Sequence, residues 1–437
     1  MLKGKVKMLS GVLKEKILNG EFDSCFVKIY GADTSVMEKQ KARYVAAVSE
    51  FERIYGENRE VAVYSAPGRT EICGNHTDHN CGLVVAAAIC DDTICIASKN
   101  DDKFVNINSE GYTDIPSVNL DNLRAAVSDE GTTKGLVKGI CAGIIREGGI
   151  CKGLDLYITS DVLTGSGLSS SASFENAVAA AVNGEYNDGR FSAIELAKIS
   201  QKSENDYFDK PCGLMDQAVS ATGGTICIDL EDSSAPVITE LPLNLEKFGL
   251  VLCTVDTRAS HDNLTDEYAA IPKEMRDVCQ IFWKDSLRRL DLVTLVNHIS
   301  FLREMVGDRA ILRCMHYFME CKRVEDLCKA IEKEDKESFI GIICESGHSS
   351  YEYLQNAYVA DNSRNQPVSV ALSVAQSFLA DKGGAWRLQG GGFAGTIQCF
   401  VPEEHLESFI KYMETVLGEG CCKVNALRSE GAVKVMG

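Results

Sequence analysis

The chain of 437 residues is longer than one hydrophobic core usually supports, so two domains are expected. Its ordinary globular composition, 45% apolar and 25% charged, argues against a disordered or fibrous protein. A formal net charge of −18 weighs against nucleic acid and anionic membranes as partners, so an anionic ligand would need a local cradle.

From the amino terminus, "MLKGKVKMLSGVLKEKI" lacks the apolar core of a signal peptide, because Lys14 and Lys16 break its hydrophobic stretches. The longest apolar run, "GLVVAAAIC", is too short to cross a bilayer. Eighteen cysteines at irregular spacings show no zinc-type CxxC pairs and read as reduced, buried thiols of a cytoplasmic protein. Residues 1–60 are predicted mainly helical with a stop at Gly56, residues 1–45 forming an extension. "VAVYSAPGR" predicts a strand ending at Pro67-Gly68, and short strands with tight turns follow to about residue 115.

"KGLDLYITSDV" alternates Leu154, Leu156 and Ile158 with polar neighbours, the period of a half-buried strand, and a helix should follow "LTGSGLSSSAS". "FSAIELAKISQKSE" opens with a Ser192/Glu195 capping box and carries Glu204 at its far end. The turn-rich stretch from 230 to 250 places a boundary between domains 46–235 and 236–437. The second combines strands such as "FGLVLCTVD" and "TIQCFV" with charged helices from about 267 to 345, giving a mixed α/β or α+β class.

Four segments carry chemistry. In "LTGSGLSSSASFENAVAAA" small residues between strand and helix expose amide N–H groups, which a helix dipole turns into an anion cradle; a flexible connector is the plainer alternative. The lysine of a GxxxxGK[ST] loop is missing, so a cation must come from elsewhere, such as Mg²⁺ on a serine and a carboxylate. "KPCGLMDQAVSATGG" is a short helix ended by Gly223, with Asp216 in its first turn, where the carboxylate could simply complement the dipole. "LQGGGFAGTIQCFV" is either a tight β connection or a loop closing over a ligand. In "GRTEICGNHTDHN", His76, Asp78 and His79 leave a metal, a polar turn and recognition of sugar hydroxyls open; the spacing disfavours a metal, and hydroxyl recognition leads.

Together, "APGRTEICGNHTDHNCG", "LTGSGLSSSAS", "KPCGLMDQ" and "LQGGGFAGT", in this order and spacing, resemble the galactokinase branch of the GHMP small-molecule kinases from about residue 60 to 400. The resemblance implies a two-domain GHMP kinase architecture, with an uncommon left-handed βαβ crossover in the first domain and the active site in the interdomain cleft. It implies ATP-dependent phosphorylation of a hexose at its anomeric hydroxyl. Asp216 would orient or deprotonate that hydroxyl and Arg69 would pair with it. Gly165, Ser166, Gly167, Leu168, Ser169, Ser170 and Ser171 would hold the triphosphate of ATP, and Ser171 with Glu204 would hold Mg²⁺. Asn75, His76, Asp78, Gly213 and Tyr268 would contact the sugar, and "GGGFAG" would help to close the site.

Where the family usually reads GEHTDY, this chain reads "GNHTDH". Asn75 thus replaces a glutamate at the sugar's far end and His79 a tyrosine, departures shared with galacturonate-phosphorylating relatives. Galactose is the first expectation and galacturonate or another sugar-1-kinase substrate the second; Asn75→Glu is expected to leave galactose use intact. The segment "GHSSYEYLQNAYVADNSRNQPVSVAL" also departs from the family pattern. A non-catalytic sugar and ATP sensor is the reading from another class, and the intact "GLSSSAS", Asp216 and Arg69 argue against it. The expected partners are sugar and ATP, not nucleic acid or membrane, with the chain a monomer or weak homo-oligomer.

Overall fold

The computed structural model describes residues 8–162, 167–259 and 264–436. Three helices come first: α1 (Ser10–Leu18), α2 (Asp23–Tyr30) and α3 (Thr34–Tyr55). The Asp33 carboxylate caps α3 on the Ser35 and Val36 amides, and Gly56, at φ +96°, ends it as expected. A long hairpin of β1 (Ala62–Cys73) and β2 (Leu83–Lys99) follows, then β3 (Phe104–Ser109), β4 (Val118–Asn119), α4 (Thr133–Arg146) and β5 (Leu154–Ser160). Next come α5 (Ser170–Tyr186), α6 (Ala193–Asp206), α7 (Met215–Thr222), β6 (Thr225–Asp229) and β7 (Val237–Leu241). The remainder holds β8 (Leu250–Ala259), α8 (Thr265–Ile281), α9 (Leu292–Asn297), α10 (Ile299–Val306), α11 (Asp308–Glu332), α12 (Lys336–Ser349) and a π-helical turn at Ser350–Leu354. The last elements are α13 (Pro367–Leu379), β9 (Ala385–Leu388), β10 (Gly395–Pro402), α14 (Leu406–Leu417), β11 (Cys422–Asn425) and β12 (Val433–Met436).

Eight strands form one sheet in the order β12-β1-β2-β5-β3-β4, with β6 paired to β2 and β7 to β6; only β3 and β5 run parallel. A second, antiparallel sheet runs β11-β8-β10-β9. The expected strand at "VAVYSAPGR" does not stop at Pro67-Gly68. It passes through a bulge between Pro67 and Arg69 and continues to Cys73. Proline is accommodated there because β12 pairs only with Val63–Ser65, so no ladder on that side needs its missing N–H.

The half-buried reading of β5 is also corrected. Leu154, Leu156 and Ile158 face α4, α5 and α6, while Tyr157 on the other face meets Phe26, Tyr44, Val48 and Phe51 of the amino-terminal helices. The extension is thus a structural layer, and each of its buried large side chains contributes about 1.5–3 kcal/mol of transfer free energy. We propose to retain the division 1–45, 46–235 and 236–437 as a description of sequence. In space, residue 45 lies within α3, and β7 and β12 complete the first sheet. Ile72, Val85, Ala87 and Ile89 of the long hairpin share one core with Leu250, Leu252, Val324, Phe339 and Phe400, so the two sheets meet across a continuous apolar contact.

One buried charge staples the layers. Asp92 of β2, with no exposed surface, accepts from Tyr30 Oη (2.6 Å), Arg43 Nη1 (2.5 Å), Arg428 Nη1 (3.2 Å) and the Ser65 hydroxyl. Burial would raise its carboxyl, but Arg43, Arg428, Ser65 and Tyr30 together hold it below the ordinary range. A carboxylate depressed in the folded state stabilises above its unfolded pKa, and that contribution is lost as pH falls through the folded value. Asp92→Ala should therefore cost about 3–5 kcal/mol at neutral pH, by leaving two guanidinium groups without their partner. Urea unfolding at pH 7 and below about pH 4 should show the gap between the two proteins narrowing in acid; equal stabilities at pH 7 would contradict the assignment.

Candidate active site

The bulge in β1 sets the site. A Cβ on Gly68 would lie 2.9 Å from the Leu168 carbonyl oxygen, so only glycine lets the strand approach the segment entering α5 this closely. The next amide, Arg69 N–H, donates to that carbonyl (3.0 Å). The Arg69 guanidinium, 5% exposed, then forks onto Asp216: Nε donates to Oδ1 (2.7 Å) and Nη2 to Oδ2 (2.8 Å). Its Nη1 donates to the Gly167 carbonyl. The pair expected from sequence is thus assembled from positions 147 residues apart.

Asp216 stands in the first turn of α7 with its side chain 29% exposed. Burial alone would raise its carboxyl; Arg69, the Ser169 hydroxyl and Lys210 outweigh that and hold it below the usual carboxylate range. Ser169 was expected among the phosphate-binding residues. Its hydroxyl instead donates to Asp216, with the backbone in the left-handed region at φ +61°, a conformation uncommon outside glycine. Leu168, another of that set, buries its side chain in the core shared by the two sheets. Gly167, at φ +73°, turns its carbonyl to Arg69 and to Gln389 Nε2 (3.3 Å), while Ser170 and Ser171 begin α5. Gly165 and Ser166 lie outside the described residues.

Beside Asp216 runs a second polar chain, in which Glu175, Glu204 and Gln217 are buried. Lys210 Nζ donates to Glu204 Oε1 (2.7 Å), and Gln217 Nε2 donates to Glu204 Oε2 (2.8 Å) and Glu175 Oε2 (3.1 Å). Burial, then the neighbouring Glu204, pushes the Glu175 carboxyl up. Glu175 Oε1 and Gln217 Oε1 are buried without a protein partner. Among the described residues no three metal-ligating side chains converge, and Ser171 makes no hydrogen bond to Glu204. The donor set nonetheless suits Mg²⁺, a hard ion bound through one or two carboxylates while its ligand's phosphates and water complete the shell. Glu204 already faces a cation, the Lys210 ammonium, and an orphaned carboxylate oxygen lies nearby on Glu175.

The expected sugar-binding residues fall into two groups. Asp78 and Gly213 meet closely, since a Cβ on Gly213 would sit 1.9 Å from Asp78 Oδ2. Three others reach the glycine loop before β10. His76 Nε2–H donates to Gly391 O (3.0 Å), Tyr268 Oη–H to Gly392 O (2.8 Å), and Asn75 Nδ2 to Gly390 O (2.7 Å). Burial lowers the His76 pKa to about 4 and raises that of Tyr268 to about 12, so both are neutral at physiological pH.

Asn75 does not face an open site. It is 1% exposed, its amide hydrogens go to Glu71 Oε1 (3.0 Å) and Gly390 O, and its Oδ1 accepts from Asn356 Nδ2 (2.8 Å). The layer beneath it was missed by sequence reasoning. Glu71 is paired with Arg387 Nη2 (2.7 Å); Glu320 takes the Gly74 amide (2.9 Å) and Arg323 Nε (2.7 Å); His316 Nε2–H donates to the Asn75 carbonyl (2.8 Å). Glu71, His316, Glu320 and Arg387 all expose 3% of their surface or less. Single polar residues on apolar helices and strands carry no periodic signal, whereas Lys210 and Gln217 lay inside or beside a motif already singled out.

Comparison with known proteins bears on the family and the fold. The model of the GHMP kinase N-terminal domain matches residues 135–224, and the galactokinase galactose-binding signature matches residues 49–99. The galactokinase of Mannheimia succiniciproducens is 30% identical over 368 residues, 83% of this chain and 90% of its own. That of Streptomyces coelicolor is 28% identical over 393 residues, 88% and 97% of the two chains. The crystal structure of Lactococcus lactis galactokinase complexed with galactose matches with a TM-score of 0.78 at 24% identity, covering 90% of this chain and 100% of that one.

The geometry reverses the expectation for Asn75→Glu. A glutamate has no hydrogens for Glu71 and Gly390 O, and it would put a second carboxylate beside Glu71. The substitution should cost about 2–4 kcal/mol in urea unfolding. A variant as stable as the parent would show that this amide is dispensable.

Proposed function

This chain belongs to the galactokinase family of GHMP kinases, and from that premise we propose that it transfers the γ-phosphoryl group of ATP to the anomeric hydroxyl of a hexose, D-galactose first, giving α-D-galactose 1-phosphate. The observation that carries the reading is the bidentate Arg69–Asp216 pair, part-exposed beside the amino end of α5. Phosphoryl transfer passes through a loose transition state, so alignment and positive charge count for more than a strong base. A carboxyl held low by Arg69, Ser169 and Lys210 suits that task. In our reading Asp216 fixes the direction of the sugar's O1–H and takes its proton as the O1–P bond forms and the bond to the leaving ADP oxygen breaks. Arg69 holds Asp216 with two N–H groups and Gly167 with a third, which leaves two N–H hydrogens uncommitted among the described residues for the phosphoryl oxygens.

Asp78, His76 and Tyr268 would line the sugar, and the amides of Ser170 and Ser171 the phosphates. Glu204 and Ser171 would hold Mg²⁺, which when bound neutralises phosphate charge. The case for galacturonate rested on Asn75, read as facing the sugar, and on His79; the Asn75 amide is committed inside the protein, which removes the first ground, and galactose is the reading carried forward. The sensor reading is disfavoured by the completeness of the Arg69–Asp216–Ser169 cluster. All eighteen cysteines are free thiols, and no helix among the described residues is long and apolar enough to cross a membrane. We accordingly place the protein in a reducing cytoplasm, as a monomer or weak homo-oligomer.

ATP consumption across galactose, galacturonate, glucose, galactosamine and N-acetylgalactosamine tests the proposal. Galactose should be turned over, and Asp216→Asn should lower kcat about 10²–10⁴-fold with the fold intact. Since the Asp216 carboxyl lies below the ordinary range, it stays ionised throughout pH 5–8, and the acid limb of kcat/KM due to this group should fall at more acid pH. Turnover of galacturonate alone would overturn the substrate, and sugar binding without any turnover would overturn the enzyme.

A further inference from the structure

Three consecutive carbonyls of the glycine loop, those of Gly390, Gly391 and Gly392, are turned into the protein and held by side chains of Asn75, His76 and Tyr268. Asn356 grips the same loop twice: its Nδ2 donates to Gly391 O (3.0 Å) and its main-chain carbonyl accepts the Phe393 amide (2.5 Å). The fit leaves no slack, because a Cβ on Gly392 would lie 2.2 Å from the Asn356 carbonyl oxygen. The same Nδ2 also donates to Asn75 Oδ1 (2.8 Å), so one amide connects the first motif to the loop.

The polarity of this connection is fixed from one end. The Gly390 carbonyl can only accept, and Glu71 Oε1 already takes a hydrogen from Arg387, so the Asn75 amide presents its hydrogens to Gly390 O and Glu71. Its oxygen must then face outward, and whatever stands opposite must donate both to that oxygen and to the Gly391 carbonyl. Of the side chains of this length only asparagine does so while remaining neutral. The π-helical turn at Ser350–Leu354 and Gln355, at φ +58°, deliver Asn356 to that place. Two of the departures from the family pattern, Asn75 and the segment after residue 346, therefore touch one another.

We infer that Asn356 is a positioning residue for the reaction proposed above, acting through Asn75 to hold the Gly390–Gly392 loop against His76 and Tyr268, and that Asn75 is a strut of this device. The inference rests on that functional reading, and its test separates the two. Asn356→Asp keeps the shape and removes the donor; Asn356→Ala serves if the aspartate variant does not fold. With either variant kcat/KM for the sugar should fall about 10–100-fold, mainly through the sugar KM, while the KM for ATP stays within twofold. The double variant Asn75→Ala/Asn356→Ala should lose less than the product of the two single losses, since the bond from Asn356 Nδ2 to Asn75 Oδ1 is lost in both single variants, while each residue also holds the loop through a bond of its own. Hydrogen exchange of the sugar-free protein should show faster exchange in the peptide spanning 389–394. Unchanged sugar kinetics per folded molecule, losses that multiply in the double variant, or parental exchange in that peptide would each overturn the inference. If the parent protein turns over no sugar, the functional reading fails, and the exchange measurement still decides whether Asn356 holds the loop.

Discussion

The site is organised by the two parallel hydrogen bonds from Arg69 to Asp216. They tie the bulged strand β1 to the first turn of α7, and the third bond, to Gly167, draws in the approach to α5. Each neighbouring feature reads as a condition for that fork. Gly68 permits the close approach, Pro67 and the bulge redirect the strand, and Ser169 accepts a left-handed backbone so that its hydroxyl reaches the same carboxylate. A guanidinium this deeply buried is tolerated only with its partner in place, so geometry and stability are coupled at this point.

The two sheets are joined differently. The apolar contact between Ile72, Val85 and Ile89 and the second sheet supplies attraction without direction. Direction comes from the polar layer beside it, where Glu71, Arg387, Glu320, His316 and Asn356 surround the turn that carries Asn75 and His76. Burial keeps His316 neutral, so Nε2–H donates to the Asn75 carbonyl while Nδ1 accepts from the Ser349 hydroxyl (2.9 Å). Buried ion pairs of this kind add little net stability compared with apolar packing, but few relative placements of the sheets satisfy all their donors and acceptors. The two sheets are thereby held in register.

Local signals carried much of this into the sequence. The Ser192–Glu195 capping box, Gly56, Gly223 and the start of a helix among the serines at Ser170 depend on neighbouring residues, and all stand where the pattern put them. The Arg69–Asp216 pairing was legible only through the joint order of four motifs, since no spacing rule connects residues so far apart. What stayed hidden was tertiary. The all-round burial of β5 follows from a helical layer contributed by the extension, and the inward turn of Asn75 follows from Asn356, 281 residues away. A polar residue in a polar motif looks like a ligand contact until its partners are counted.

Charge accounting in the cleft completes the picture. Asp216 is matched by Arg69 and Glu204 by Lys210, so these four groups sum to nothing. Asp78 adds a further carboxylate beside Gly213, in a chain whose overall charge is −18. Among the described residues, a triphosphate would meet the partial positive charge at the start of α5, roughly half an elementary charge, and the uncommitted hydrogens of Arg69. Committing the Ser169 hydroxyl to Asp216 removes one of the donors that the serine-rich sequence offers. A divalent cation on Glu204, as in the proposed function, would add positive charge beside these donors. The Lys210 side chain is 57% exposed, so it can yield its place on that carboxylate without leaving a buried charge of its own unpaired.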